Sequence, residues 1–332
     1  MSNDKHTPPG NGKPVLSTAP DVLAGRGRRT VHLGDLLFGG SARASSLIIV
    51  VVVLIIGAFL LGNAWQPLLD NTANFFTSTT FDSSSRPPHF GIAALLWTTV
   101  LSSLIALLVA VPVAIGIALL LTQYVGGRVS RWIGFVIDLL AAVPSVIFGL
   151  WGIKVLGPAL QPVAHWVQAH LGWFPLLGST QVTSPGTVFT ASLVLALMIL
   201  PIITAVTRDV FSQTPREQIE AALALGATRW EVIRMAVLPY GRSGATAAAM
   251  LGLGRALGET IAVMLILSAS SFDVSVFSGG ETFASVIARN AAEFDTTYKA
   301  GIYISAGLVL FVLTFAVNAL ARVVAERGKA KS

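Results

Sequence analysis

Arg255 and Glu259 stand four residues apart in the string Gly252-Leu-Gly254-Arg255-Ala-Leu-Gly258-Glu259-Thr260, and no other charge occurs from 243 to 270. On a helix, residues four apart share a face. A charge at the centre of a bilayer costs about 2.5–3.5 kcal/mol on insertion scales, and attraction between the two groups offsets part of that. A guanidinium is also a natural partner for a tetrahedral oxyanion, because its planar fork makes paired hydrogen bonds. Two readings weigh evenly. Arg255 contacts a translocated anion while Glu259 holds or gates it, or the two belong to a salt bridge, with Asp138 included, that only fixes packing. Asp138 lies near the cytoplasmic end of its own apolar stretch, which favours the structural role for it. Little else offers chemistry. There are 0 Cys, and His165 and His170 are five apart, which splits them around a helix. The glycines around Arg255 lack the spacing and the preceding strand of a dinucleotide fingerprint. Gly254 and Gly258, with Gly244, Ala248 and Gly252, read instead as small residues that let helices approach.

Such charges need a scaffold that keeps them from lipid. Of 332 residues, 54% are hydrophobic and 11% charged. Soluble proteins carry about 25% charged residues, so a soluble enzyme or a nucleic-acid-binding domain is a poor reading and lipid is the expected solvent. A crossing needs about 20 apolar residues, which predicts an all-α membrane protein with six spans near 45–66, 92–122, 132–156, 187–207, 243–270 and 301–324. Pro112, Pro144 and Pro201 fall inside spans and predict kinks. Residues 1–44 are a polar tail with room for a short interfacial helix near Val31–Phe38. The apolar run after Arg43 is long for a cleaved signal, so a retained span is the better reading. Residues 157–186 carry Leu160, Val163, Trp166, Val167 and Leu171 at helical spacing. A helix lying at the membrane surface and a loop packed on the bundle account for this segment equally well.

Seventeen of the 22 Lys and Arg fall on one side of these spans, four fall on the other, and Arg255 falls within one. The excess marks the cytoplasmic side and places both termini there. It also explains the net charge of +6 without nucleic acid.

The segment 214–239 between the fourth and fifth spans is cytoplasmic on this reading. Thr214 with Glu217, and Thr228 with Glu231, have capping-box spacing, and Pro215 suits a first helical position. Gly226 is placed to end the first helix in a left-handed conformation. Ile219, Ala222 and Leu223 form one apolar face, and Trp230, Ile233 and Val237 form another. Two short helices meeting at a glycine predict a knob that fits a groove on a partner.

Glu220-Ala221-Ala222, then Gly226 four residues on, then Leu238-Pro239, resembles the EAA loop of ABC-transporter permeases. That family has an aliphatic residue two positions before the Leu-Pro pair, where this chain has Ala236. Gly254-Arg-Ala-Leu-Gly-Glu-Thr260, Ala141-Ala-Val-Pro144-Ser-Val-Ile-Phe-Gly-Leu-Trp151-Gly and Val317-Asn-Ala-Leu-Ala-Arg322 are similar to motifs of the PstC-type phosphate permeases. Sulfate and molybdate permeases share an Arg-Ala-Leu-Gly-Glu string, while the Thr260 ending and the 141–152 motif favour phosphate. The resemblance covers about residues 90–325 and implies a type I, MetI-like permease in a bacterial cytoplasmic membrane. It implies phosphate passage beside Arg255 and Glu259, and docking of Glu220, Ala221, Ala222 and Gly226 on an ATPase. The implied partners are a PstA-type second permease subunit, two PstB-type ATPases that hold ATP and Mg, and a PstS-type external phosphate-binding protein.

No Gly-x-x-x-x-Gly-Lys-Ser/Thr loop occurs in the sequence, so this chain is expected to be neither the motor nor an enzyme, and to bind no cofactor itself. The rivals are an ion-coupled transporter using Glu259 and Asp138 as a proton relay, and a membrane sensor that moves nothing.

Overall fold

A computed structural model describes residues 33–85, 87–178, 184–294 and 296–329. The 1–32 part of the expected tail, with the start of the expected interfacial helix, lies outside them. The chain divides into two units, Met1–Val53 and Leu54–Ser332. The described part of the first unit is the beginning of helix α1, Leu33–Asp70, whose apolar residues from Leu47 to Val53 are exposed.

The second unit is helical apart from a two-residue antiparallel ladder, β1 (Phe81–Asp82) with β2 (His89–Phe90), in which Phe81 pairs with Phe90. Its centre is the packing of α2 (Ala93–Leu119) on α6 (Val188–Ser212). Ala106, Ala110, Ala114 and Ala118 follow one another at four-residue spacing along α2 and are fully buried. This small ridge supports close backbone approach, the packing used where lipid gives no hydrophobic drive. Helix α9, Leu238–Leu257, packs on α6 and also touches α2. Gly241, Gly244 and Gly252 face Phe211, Val210 and Ile203, and Ala248 is fully buried. The expected stripe of small residues is therefore present as far as Gly252, but not beyond it. Gly254 reaches only Asn318, and Gly258 is exposed.

Five helices among the described residues are long and apolar enough to cross a membrane: Arg43–Asp70, Ala93–Tyr124, Ser145–Leu171, Val188–Ser212 and Thr297–Leu320. Pro112 and Pro201 lie inside α2 and α6 as expected. The third and fifth expected crossings are corrected, because both are interrupted. The stretch 132–156 straddles a break at Ala142–Pro144 between α3 (Gly127–Ala141) and α4 (Ser145–Trp151). Proline cannot donate the next helical bond and it disfavours helical geometry in the residue before it. Pro144 accordingly adopts an extended ψ of 137° and opens the next helix rather than kinking one.

From α4 the chain runs through a π-helical turn, Gly152–Leu156, into α5, Gly157–Leu171. The helix at 157–171 is thus the continuation of α4, not a separate surface element. Pro158 can give no bond to the carbonyl four residues back, and the residue before it, Gly157, donates five back to Gly152 instead. The same device carries α8 (Arg229–Val232) into α9 past Pro239, where Leu238 donates to Ile233. Glycines set the depth of these pieces along α6: Gly134 of α3 lies against Arg208, and Gly152 against Val194.

The stretch 243–270 is likewise split, into α9 and the six-residue α10, Ile261–Ile266. Beyond it lie α11 (Phe283–Arg289) and α12 (Thr297–Lys329).

Candidate functional site

Arg255 occupies the last turn of α9. It is exposed and makes no ion pair or hydrogen bond among the described residues. Glu259 lies beyond the end of that helix. The helix ends at Leu257, between the two residues, and no ion pair joins them among the described residues. Glu259 Oε1 instead accepts a hydrogen bond of 3.2 Å from the Ala262 amide at the start of α10. The expected mutual pairing is corrected: Glu259 ties down the second half of the broken segment, and the guanidinium remains unpaired.

Asp138 is not part of this group. It lies on α3 with its side chain 54% exposed, and its nearest cation is Arg208, at 4.0 Å. That is a weak, solvated ion pair, and it leaves Asp138 in the structural role.

Two motif strings that are a hundred residues apart in sequence meet at this break. A Cβ at Gly149 would stand 2.8 Å from the Ala262 Cα, and one at Gly152 would stand 2.9 Å from the Ile266 side chain. The 141–152 string thus provides the glycine surface on which α10 rests, and the 254–260 string provides the break that precedes α10.

The 214–239 segment projects a second surface. Helix α7, Arg216–Ala224, has no buried residue, and Glu220 and Ala221 are exposed while Ala222 is partly covered. Its end is closed as expected. Gly226 has φ +83°, its amide bonds to Leu223 O at 2.9 Å, and the Ala227 amide bonds to Ala222 O at 3.2 Å. These are the paired bonds of a Schellman turn. The Thr228–Glu231 capping box is present, with the Thr228 amide 2.7 Å from Glu231 Oε2. These hydrogen bonds hold the Glu231 carboxyl below its ordinary range.

The Thr214–Glu217 box is absent. Thr214 is buried at the end of α6 and its hydroxyl donates back to Phe211 O at 2.9 Å, so Pro215 takes the cap position. The second apolar stripe also changes. Ile233 and Val237 are buried, while Trp230 is exposed, because the π-helical turn shifts the register after Val232. Trp230 and Leu223, which periodicity placed on the two apolar faces, are exposed, as is Leu225 at 90%, which lay on neither.

The family of binding-protein-dependent transport system inner membrane components matches residues 110–329, which takes in both surfaces. The chain belongs to this family. Among curated relatives of this family member, Mycobacterium tuberculosis phosphate transport system permease protein PstC 2 is 56% identical over 302 residues, covering 90% of this chain and 93% of that protein. The PstC protein of Mycobacterium leprae is 58% identical over 271 residues (80% and 85%). That of Mesorhizobium japonicum is 36% identical over 324 residues (96% and 98%). Two solved structures share the fold at 16% identity. One is a methionine ABC transporter, MetNI, in inward-facing form, with TM-score 0.51 and coverage of 71% of this chain and 96% of that one. The other is a bacterial ABC transporter involved in importing the polysaccharide alginate, with TM-score 0.52 and coverage of 88% and 98%. The fold is thus that of an ABC permease, and the protein is a multi-pass membrane protein.

Proposed function

We propose that this chain is the membrane-spanning subunit of an ATP-driven importer of inorganic phosphate, and that Arg255 contacts the anion in transit. One observation carries the reading: an unpaired, exposed guanidinium stands at the end of α9, where the expected fifth crossing is interrupted. Uncompensated charge at that depth is costly, and broken helices mark substrate paths in many transporters. The relatives named as phosphate permeases supply the anion. Glu259 keeps the break in place by holding the Ala262 amide and does not bind the anion.

On this reading the knob of Glu220, Ala221, Ala222 and Gly226, with Leu225 and Trp230 at its tip, docks on a PstB-type ATPase. A PstA-type subunit completes the path, and a PstS-type protein delivers phosphate from outside. ATP and Mg sit on the ATPases and the chain itself is not an enzyme. ATP-driven closure pulls on α7 and α8, the path opens outward, phosphate passes Arg255, and hydrolysis resets the complex in the inner membrane.

Radiolabelled phosphate uptake in cells lacking this gene, with and without its restoration, tests the proposal. Restored uptake that resists excess sulfate and molybdate, survives a protonophore and fails on ATP depletion is the expected result. Restored uptake that collapses with the protonophore alone would instead favour the ion-coupled rival, and competition by sulfate would change the anion. Arg255→Gln should lower uptake at least about tenfold, the scale of a lost charge-assisted hydrogen bond, with the complex still assembled. Unchanged uptake at normal expression refutes the role given to Arg255.

A further inference from the structure

Helix α10 has six residues, too few to hold together unaided. Its N-terminal amide is held by Glu259, and its C-terminal carbonyls are held from a different part of the chain. Arg289 Nη2 donates to Met264 O at 3.2 Å and to Leu267 O at 2.9 Å, while its Nε lies 2.8 Å from Glu281 Oε1. One guanidinium therefore takes up carbonyls at the end of α10 and a carboxylate from the segment before α11.

The mount for this guanidinium is rigid. Thr282 and Ser285 form a reciprocal cap at the start of α11, Phe283 is fully buried, and its amide donates to Thr99 Oγ1 of α2 at 3.2 Å. Arg289 is the last residue of that helix. Its side chain is 34% exposed and that of Glu281 is 21% exposed, so water competes only partly for the bonds.

We infer that Arg289 is a positioning residue, held in place by Glu281, that pins the C-terminal end of α10 and so keeps the Gly258–Thr260 break seated beside Arg255. The inference rests on the proposed path through that break. In the sequence Arg289 is one of the four Lys and Arg opposite the cytoplasmic excess, and 22 to 25 residues separate it from the carbonyls it binds. The partners suit the geometry. Carbonyls at a helix end lack helical donors and carry partial negative charge, and a fork of five donors can serve three oxygens at once.

The chain has 0 Cys, so a single Ile261→Cys at the exposed first residue of α10 gives one thiol on this chain. Its labelling rate with N-ethylmaleimide, read by the mass of this chain in the purified complex without phosphate, reports whether α10 is seated. Arg289→Gln should change the labelling rate by about tenfold or more, the scale of lost hydrogen bonds to a charged group. In the background without the added cysteine it should reduce phosphate uptake to a similar degree. Arg289→Lys keeps the charge but not the fork, and should recover part of both. Should Arg289→Gln fail to assemble, Glu281→Gln decides, since it leaves the carbonyl bonds and should still shift the labelling rate severalfold.

Unchanged labelling in the assembled variant overturns the inference. Changed labelling with full uptake does so too, as does lost uptake with labelling unchanged. If wild-type complex carries no phosphate, the proposed substrate fails, while the labelling arm still judges the pin.

Discussion

Of the three Leu-Gly-x-Thr tetrapeptides in the sequence, two lie where described helices are interrupted, Leu225-Gly226-Ala227-Thr228 in the 214–239 knob and Leu257-Gly258-Glu259-Thr260 beside Arg255. The two fold differently. In the knob, Leu225 is the cap, Gly226 turns left-handed, and Thr228 closes a capping box. At the second site the helix continues through Leu257, and Gly258 is the cap with φ −92°, an ordinary value for any residue. Thr260 provides no cap there. Its hydroxyl donates to Gly258 O at 3.2 Å, and Glu259 holds the next helix instead. The first interruption is closed by its own residues. The second is held by Gly149 and Gly152 beneath α10, by Glu259 at one end and by Arg289 at the other. On the proposed function the first joint carries force between subunits and gains from local rigidity, while the second lies on a path that opens and closes and gains from bonds that can be exchanged.

The largest effects should come from breaking each joint by its own means. Gly226→Asp places a side chain at φ +83°, where strain is about 1–3 kcal/mol, and adds a charge to the knob. ATP-driven uptake should fall to background, as it should for Glu220→Lys, which reverses the charge of the knob. Retained uptake with full ATPase association would remove the docking role. Gly149→Val drives a branched side chain into the Ala262 backbone. Overpacking of that kind costs about 1–3 kcal/mol, to be read as loss of thermal stability of the assembled complex together with lost uptake. An unchanged melting temperature would mean that α10 does not rest on α4.

Most of the scaffold was legible before the structure. At the first, second, fourth and sixth expected crossings the structure has helices long and apolar enough to span a membrane, and Gly226 and the Thr228–Glu231 box followed from local chemistry. Failures occurred where a distant contact overrode a local preference. Thr214-x-x-Glu217 has the spacing of Thr228-x-x-Glu231, yet Thr214 is buried at the end of α6 and its hydroxyl turns back to Phe211. Hydropathy also ran straight through Ala142–Pro144 and Gly258–Thr260, because an average over a long apolar stretch does not register where its helix is interrupted. For Arg255 and Glu259 the sequence left an anion contact and a structural salt bridge open, and it did not foresee that the helix ends between them and that Glu259 bonds the Ala262 amide. Arg289 was not singled out, because nothing in its own sequence neighbourhood shows the carbonyls it reaches.

Glu259 gives a finer test of the second joint. Glutamine keeps a carbonyl oxygen for the Ala262 amide and removes only the charge. A neutral bond is worth about 0.5–1.5 kcal/mol against about 1.5–3 for a charged one, so Glu259→Gln should lower uptake only severalfold. Glu259→Ala, which leaves no acceptor, should lower it further. If glutamine and alanine are equally inactive, the carboxylate charge itself is required and the capping role is wrong. At the knob, acid supplies the matching test. The Glu231 carboxyl titrates below its ordinary range in the fold, so the cap contributes stability above that range and loses it as pH falls through the lowered value. Acid should therefore loosen the start of α8, seen as faster amide exchange at Glu231, and Glu231→Gln should remove that pH dependence.

The smallest expected effect separates the two glycines most cleanly. Gly258 is exposed, its φ is negative, and a Cβ there would meet only Gly254 O, at an ordinary 3.6 Å. Gly258→Ala should therefore be neutral, or stabilising by about 0.4–1 kcal/mol, because alanine narrows the unfolded chain without straining the folded one. Gly226→Ala has equally open space, with nothing within 4 Å, but it must adopt φ +83°. It should be destabilising although it touches nothing. Melting curves of the two alanine variants, each in the assembled complex, should shift in opposite directions or differ by at least the strain at Gly226. Equal shifts would show that the second joint also needs a left-handed residue in some state of the cycle, and that the break beside Arg255 reshapes its backbone as the path opens.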